Sequence, residues 1–224
     1  MESSAAGGGG DEPGTAASAA AKGLEVLEFD TSRGPARVLV ETPAGRARLL
    51  LVLTHGSAGG VDAPDLLAVR DAALAGGAVV ARVLQPFRLA GARAPGSPDR
   101  QDEAWAEIVA RLREERPDLP LVQGGRSNGA RVACRTAGKV GAVAVVAMAF
   151  PLHPPGRPER SRAEELRNTG VDVLVINGDR DPFGVPDAAD ASYLVVLPGE
   201  GHDLKKNPVK VGEVVAEWIA GHTR

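Results

Sequence analysis

The chain has a single cysteine among its 224 residues, so it cannot form an internal disulfide, and it contains no Cys/His cluster with the spacing of a zinc site. Its net charge is only −3, and its basic residues form no dense block. Nucleic acid and anionic membrane surfaces are therefore not indicated as partners. No run of residues is both apolar and long enough to span a bilayer, which argues against a transmembrane segment.

The N-terminal stretch, residues 1–23, consists mainly of Ala, Gly and Ser with a few acidic residues. It lacks the basic start and apolar core of a signal peptide, so we predict a disordered tail and a cytoplasmic protein. Residues 24–224 have the length of a single α/β domain, and the hydrophobic fraction of the chain, 43%, is ordinary for a globular protein. The oligomeric state stays open.

Segments typical of strands and helices alternate along this domain. Strands are predicted at residues 25–29, 36–41, 49–54, 78–84, 141–149, 171–177 and 192–197, together with a buried strand that starts at residue 121. Helices are predicted at residues 64–75, 101–113, 161–167 and 209–219, with another directly after Gly129, while residues 85–100 are predicted to form a loop. This alternation predicts an α/β fold with a mostly parallel, twisted sheet covered by helices on both faces. The short connection between residues 149 and 171 leaves no room for a large lid.

The motif G-x-S-x-G at residues 125–129 follows the buried strand that starts at residue 121. A strand–turn–helix context of this kind makes a serine a nucleophile, because the tight turn exposes its hydroxyl. Gly125 and Gly129 are needed where neighbouring backbone leaves no space for a Cβ. The sequence therefore predicts Ser127 as a nucleophile, although a glycine-rich turn with a surface serine would give the same pattern.

A serine nucleophile needs a base and a carboxylate that orients the base. In this chain Asp179 and Asp181 follow the strand at residues 171–177, and His202 follows the last predicted strand. We predict His202 as the base and prefer Asp181 as the acid, because it lies one step further round the turn, against a proline. Asp179 is the alternative acid, and Glu159 is a distant third.

The oxyanion of such a reaction is bound by backbone N–H groups. One donor is expected from Asn128, the residue after the nucleophile, and the other from the His-Gly loop after the strand at residues 49–54. We favour Ser57 for the second donor, with Ala58 as the alternative. His55 is expected to fix this loop through a local hydrogen bond.

Arg126 and His153 are candidate substrate contacts near the predicted nucleophile. With Arg88 and Arg93, Arg126 could give the pocket a positive charge that favours an acidic substrate. The plainer interpretation is that these arginines pair with carboxylates to brace loops, and that His153 is a structural loop histidine.

Four stretches together resemble one known family. These are G-R-S-N-G at 125–129, F-P-L-H-P-P-G at 150–156, G-D-R-D-P-F-G at 178–184 and G-H-D-L at 201–204. They are similar to the small α/β hydrolases of the testis-expressed-30 type, relatives of the hydrolase-like part of subunit three of the NSL histone-acetyltransferase complex that are grouped loosely with dienelactone hydrolases. The resemblance runs from about residue 49 to the C-terminus. It implies the α/β-hydrolase fold and a triad of Ser127, Asp181 and His202.

From these residues we predict a serine hydrolase that cleaves an ester or thioester of a small acyl substrate, with no metal and no organic cofactor. Two alternatives stay open: an interaction scaffold with little catalysis, and an acyltransferase that uses the same residues. The predicted partner is the small acyl substrate alone.

Overall fold

The computed structural model describes residues 21–222, and within this range eight strands form one sheet. The strands are β1 (Ala21–Thr31), β2 (Gly34–Pro43), β3 (Leu49–Thr54), β4 (Ala78–Leu84), β5 (Leu121–Arg126), β6 (Ala144–Met148), β7 (Asp172–Gly178) and β8 (Tyr193–Leu197). Their spatial order is β1-β2-β4-β3-β5-β6-β7-β8. The neighbours from β4 through β8 are parallel, whereas β2 runs antiparallel to both β1 and β4. The mostly parallel sheet predicted from the sequence is confirmed.

Helices cover both faces of this sheet, as predicted. They are α1 (Pro64–Ala75), α2 (Pro86–Leu89), α3 (Pro98–Glu114), α4 (Asn128–Val140), α5 (Ala163–Arg167) and α6 (Pro208–Ala220), with a short 3₁₀ turn at Ala188–Asp190. One apolar core lies between the sheet and α3 and α4, and the other lies between the sheet and α1 and α6. The central strands are therefore buried on both faces of the sheet. This burial explains why β3 and β6 consist almost wholly of apolar residues.

A buried polar link fixes α3 and α4 to the central strand β5. The indole Nε1 of Trp105 donates to Gln123 Oε1 at 2.7 Å, and Gln123 Nε2 donates to the Ala133 carbonyl oxygen at 2.7 Å. All three groups are fully buried, so these bonds satisfy polar atoms that would otherwise be costly to bury. The link holds the middle of α4 in a fixed position relative to β5.

The predicted tail, residues 1–23, lies outside the described residues except for its last part. That part differs from the prediction: β1 begins at Ala21, which pairs with Pro43 of β2. The prediction relied on the alternation of apolar and polar side chains, whereas backbone pairing with β2 continues beyond that alternation. The register of this pairing shifts between Ala21 and Leu24.

The segment at residues 85–100, predicted as a loop, contains α2 and the first residues of α3. Pro86 and Pro98 are the first residues of these helices, where a proline loses no hydrogen bond. The prediction was wrong here because these prolines were interpreted as loop residues. Between Ala149 and Val171 the chain forms only loops and α5, so no large lid covers this edge of the sheet.

The single cysteine, Cys134, lies in α4 and is only 1% exposed. Burial raises the pKa of its thiol to about 12. Among residues 21–222, no helix combines the length and the apolar character needed to cross a bilayer.

Candidate active site

Ser127 occupies the turn between β5 and α4 with φ 54° and ψ −115°, a conformation that residues with a side chain rarely adopt. Two glycines make this turn possible. A Cβ on Gly125 would lie 2.8 Å from the Thr54 carbonyl oxygen, and a Cβ on Gly129 would lie 2.8 Å from the His55 carbonyl oxygen. Close approach to the end of β3 therefore requires glycine at both positions.

Three predicted side chains meet above this turn. His202 Nε2 lies 2.8 Å from Ser127 Oγ, and His202 Nδ1 lies 2.8 Å from Asp181 Oδ2. Asp181 has a fully buried side chain, whereas the side chain of His202 is 21% exposed. A carboxylate only accepts hydrogen bonds, so Nδ1 carries the proton and the Nε2 lone pair faces the serine hydroxyl.

The structure separates the candidate acids. Asp181 is the one that contacts His202, while Asp179 Oδ1 accepts a hydrogen bond from the Gly199 backbone N–H at 2.7 Å. Glu159 is exposed on the loop after β6. Asp179 and Gly199 follow directly on the paired ends of β7 and β8, so Asp179 joins these two loops rather than reaching the histidine.

Asn177, the penultimate residue of β7, holds Asp181 in place and was not identified from the sequence. Its amide Nδ2 lies 3.1 Å from the Phe150 carbonyl oxygen, 3.2 Å from the Gly184 carbonyl oxygen and 3.4 Å from Asp181 Oδ2. Its Oδ1 accepts from the Phe150 N–H at 2.9 Å. An asparagine inside an apolar strand was the available signal, because a fully buried amide must find partners.

The loop that carries His202 is organised by Glu200, another residue missed in the sequence. Its buried carboxylate accepts from the backbone N–H groups of Asn207 at 2.6 Å and Lys206 at 3.3 Å. Its carbonyl oxygen accepts from the Arg180 N–H at 3.0 Å. Gly178 packs directly on the Glu200 backbone, so the loops after β7 and β8 are in contact.

The ring of His202 packs on Phe183, with 4.2 Å between ring centroids and a 32° angle between planes. His153 lies next to this pair: its backbone N–H donates to the Phe183 carbonyl oxygen at 2.9 Å. The His153 ring contacts Gly184, and its Nδ1 lies 2.9 Å from the Pro154 carbonyl oxygen. These contacts brace the loop of Asp181, which is the structural role left open in the sequence analysis.

The His-Gly loop after β3 lies beside the serine. A Cβ on Gly56 would be 3.1 Å from Ser127 Cβ and 3.7 Å from Ser127 Oγ. Ser57, the favoured second donor, is half-buried, and Ala58 is exposed. The favoured donor of this loop and its alternative therefore both follow the glycine that lies against the serine.

His55 fixes this loop in a neutral form. The Gln85 backbone N–H donates to His55 Nε2 at 3.1 Å, so the ring proton is on Nδ1, which lies 2.8 Å from the Gly56 carbonyl oxygen. Burial lowers the pKa of His55 and favours this uncharged ring. The ring also packs against Phe87, at 5.7 Å between centroids.

Asn128 is the first residue of α4, where backbone N–H groups have no acceptor within the helix. Its side chain points elsewhere: Nδ2 donates to Gln101 Oε1 at 2.7 Å, and Gln101 Nε2 in turn donates to the Gly96 carbonyl oxygen at 3.0 Å. The buried Asn128–Gln101 contact holds the N-terminus of α4 against α3.

Two of the three candidate arginines contact groups of the protein itself. Arg126 Nε lies 3.1 Å from Asp65 Oδ2, and Arg126 Nη2 donates to the His202 carbonyl oxygen at 3.0 Å. Arg88 donates to two backbone carbonyl oxygens, whereas Arg93 is exposed. Arg126 is therefore directed at protein groups, as in the plainer interpretation of the sequence.

A cavity of about 210 Å³ is lined in part by Gln101, which contacts Asn128, and by Phe87, which contacts His55. Its walls are mostly apolar, and arginines stand among the lining residues. They are Arg33, Gln85, Pro86, Phe87, Ala90, Ala94, Pro95, Gly96, Arg100, Gln101 and Ala104. Within the part of the chain that the structure describes, no group of three or more His, Cys, Asp or Glu side chains could hold a metal ion.

Comparison with known proteins supports the fold described above. The family model described as "Alpha/beta hydrolase domain" matches residues 47–210. No curated protein matches the chain significantly.

Several solved structures share the fold at low sequence identity. A lidless α/β serine hydrolase from Xanthomonas campestris is 20% identical, with a TM-score of 0.74 over 90% of this chain and 95% of the other. An α/β serine hydrolase homologue from Coxiella burnetii is 15% identical, with a TM-score of 0.72 over 87% and 97%. The protein Est1E from Butyrivibrio proteoclasticus is 16% identical, with a TM-score of 0.72 over 88% and 98%.

Proposed function

The chain belongs to the alpha/beta hydrolase domain family, and we propose that it is a serine hydrolase that cleaves an ester or thioester of a small acyl substrate. One observation carries this proposal: Asp181, His202 and Ser127 form a continuous hydrogen-bonded line with 2.8 Å at each contact. That arrangement can remove a proton from the serine as it attacks a carbonyl carbon.

In the acylation step, His202 Nε2 accepts the Ser127 proton while Oγ forms a bond to the carbonyl carbon. Asp181 keeps the second ring proton on Nδ1 and stabilises the imidazolium that forms. The protonated ring then gives its proton to the leaving alcohol or thiol as that bond breaks. The acyl group remains on Ser127.

The tetrahedral intermediate carries a negative charge on the former carbonyl oxygen. The N–H groups of Asn128 and Ser57 are the proposed donors to it, since the first opens α4 and the second follows the glycine beside the serine. In deacylation His202 takes a proton from water, which attacks the acyl-enzyme and releases the acid. Neither a metal nor an organic cofactor enters these steps.

Within the family, the stretch at residues 150–156 supports membership of the testis-expressed-30 type. The substrate class has one point of support among the comparisons, and a cavity supplies a candidate place for the acyl group. The cavity beside α2 and α3 has the volume for a short acyl or aromatic group, and Gln101 in its lining contacts Asn128, the residue after Ser127. A solved structure of the Butyrivibrio proteoclasticus protein Est1E contains ferulic acid, an aromatic acid.

A fluorophosphonate activity probe tests the proposal, because it reacts only with an activated serine. We expect wild-type protein to be labelled and Ser127→Ala to remain unlabelled. Ser97→Ala is the matched control, since the Ser97 side chain makes no capping hydrogen bond to α3, and it should label like wild type. Folded wild-type protein that resists the probe would favour the scaffold alternative.

A panel of p-nitrophenyl esters and acyl-CoA thioesters then identifies the leaving group. Product analysis with and without an added alcohol or amine separates hydrolysis from acyl transfer, since only a transferase would divert the acyl group to the acceptor.

A further inference from the structure

Arg126 joins two groups that are far apart in the sequence. On one side its Nε forms an ion pair with Asp65 Oδ2 at 3.1 Å, and on the other its Nη2 donates to the main-chain carbonyl oxygen of His202 at 3.0 Å. Asp65 is completely buried and the Arg126 side chain is only 15% exposed. The guanidinium thus has little surface left for a substrate.

The positions of these residues in the fold show which segments the contact connects. Arg126 is the last residue of β5 and directly precedes Ser127. Asp65 lies in the first turn of α1, which follows the His-Gly loop. The His202 carbonyl belongs to the loop after β8. One side chain therefore connects the backbone of the proposed base to the backbone of the proposed nucleophile.

A contribution to stability does not explain why this pair is buried. Taking a carboxylate and a guanidinium out of water costs several kcal/mol, about what their attraction returns. The geometry is also imperfect, because both Asp65 carboxylate oxygens and Arg126 Nε lack a well-formed hydrogen bond. A hydrophobic pair of similar volume would serve folding at least as well, so a gain in position is the better explanation.

We propose that Arg126, anchored by Asp65, is a positioning residue that sets the place of the His202 backbone and so keeps Nε2 within hydrogen-bond distance of Ser127 Oγ. This inference rests on the proposed function, since it assigns a role within that reaction. Arg126 contacts neither substrate nor reacting atoms in this role.

The charged groups that face the pair come from three elements. Asp65 is on α1, Arg126 is on β5, and Asp203 follows His202 in the loop after β8. Asp203 forms an exposed ion pair with Lys205 at 2.7 Å. Burial raises the pKa of Asp65 to about 6, Arg126 opposes this rise, and Asp203 adds to it. Arg126 is thus the nearest cation that can compensate the Asp65 charge.

Substitution at both ends of the contact tests the proposal with an ester that the wild type hydrolyses. In Arg126→Gln we expect kcat to fall about tenfold to a hundredfold, as for a small displacement of a reacting group, with KM changed less than about threefold. Asp65→Asn should lower kcat in the same way but less. The double variant should resemble Arg126→Gln alone, because Asp65 acts through Arg126.

A second Asp–Arg pair, in which the aspartate is buried and the arginine side chain is 57% exposed, supplies the control. Arg167 Nη2 lies 2.7 Å from Asp190 Oδ1, whose side chain is 4% exposed, and this pair lies by α5 and the 3₁₀ turn. Arg167→Gln should lower stability without changing kcat. Arg126→Lys provides a variant that keeps the charge and the fold but is too compact to hold both partners, and it should also lose kcat.

Proton NMR supplies a readout independent of turnover. The downfield Nδ1–H resonance of His202 should shift or broaden in Arg126→Lys and stay unchanged in Arg167→Gln. The proposal is overturned if folded Arg126 variants keep wild-type kcat, or if they raise KM alone, as a substrate-binding residue would. Wild type that neither reacts with the fluorophosphonate probe nor hydrolyses any ester would instead refute the proposed function.

Discussion

Asn177 and Asp181 lie at the two ends of one turn, and the Asn177 amide is 3.4 Å from the Asp181 carboxylate while it also holds the Phe150 backbone. Asp181, the proposed acid, is therefore supported by an uncharged group from the strand that precedes it. This contact links the loop after β6 to the loop after β7.

Replacement of Asn177 by alanine should weaken both stability and catalysis. The Phe150 N–H would lose its partner in a buried site, which costs about 1–3 kcal/mol. With Asp181 less restrained, kcat should also fall. Urea denaturation and steady-state kinetics measure the two effects. Asn168→Ala, at an exposed asparagine after α5, should show neither.

Asp181→Asn should reduce kcat by about ten-thousandfold, because the amide would favour the wrong tautomer of the His202 ring. His202→Gln should also reduce turnover by several orders of magnitude. Asp179→Asn is the control for the acid, since Asp179 holds only the Gly199 N–H, and it should keep kcat within about threefold. Equal losses in Asp179→Asn and Asp181→Asn would contradict the assignment of the acid.

A methyl group at position 56 should impair the reaction without disturbing the fold. The Cβ of Gly56→Ala would lie 3.1 Å from Ser127 Cβ, so either the loop or the serine must move. We expect kcat to drop about tenfold or more. Gly60→Ala, in the same loop, places its Cβ in open space and should behave as wild type. Unchanged kinetics in both variants would show that this loop takes no part in catalysis.

The pH dependence of stability should contain a contribution from Asp65. Its pKa is about 6 in the folded state against 3.8 in the unfolded chain, so the folded state binds a proton that the unfolded state has released between these values. Stability from this group is present below pH 3.8 and is lost as the pH rises through 6.

Asp65→Asn removes that contribution. The free energy of unfolding of the variant, relative to that of wild type, should therefore increase by about 2–3 kcal/mol from pH 4 to pH 7, because wild type loses stability over this range and the variant does not. Urea denaturation of both proteins across this range measures the difference. Parallel pH profiles would show that Asp65 titrates at its ordinary pKa.

Filling the cavity beside α2 should change the preference for substrate size. Ala90 is exposed and lines this cavity, so Ala90→Trp should lower kcat/KM for longer or aromatic acyl esters by about tenfold and spare the acetyl ester. Ala92→Trp, on the same loop but outside the cavity lining, is the control. A uniform decrease for all esters in Ala90→Trp would mean that the cavity does not bind the acyl group.

The strand-end positions of the site were predictable, because carboxyl ends of parallel strands meet at one edge of a sheet. Ser127 follows from the G-x-S-x-G motif after a buried strand, and His202 and an acid after β7 follow from the ends of later strands. The sequence favoured Asp181 and kept Asp179 as the alternative, since both lie in one turn and the path of that turn decides which carboxylate reaches the ring.

Partners from distant segments could not be predicted. Nothing in the sequence near Arg126 indicates that its counterion lies in the first turn of α1, because that pairing depends on how the loops after β3 and β5 pack. The helix α2 was missed for a local reason: four residues give no periodicity, and a proline at the start of a helix resembles a proline in a turn.

Because Cys134 is buried, the reactivity of its thiol can be used to measure local opening of the protein around α4. A thiol reagent reacts with the thiolate, and burial disfavours the thiolate by raising the pKa of Cys134. Modification at neutral pH therefore requires α4 to separate from the sheet first. Because the chain has no other cysteine, the rate of modification measures how often that part of the core opens. Bound substrate that stabilises the turn before α4 should lower the rate of Cys134 modification.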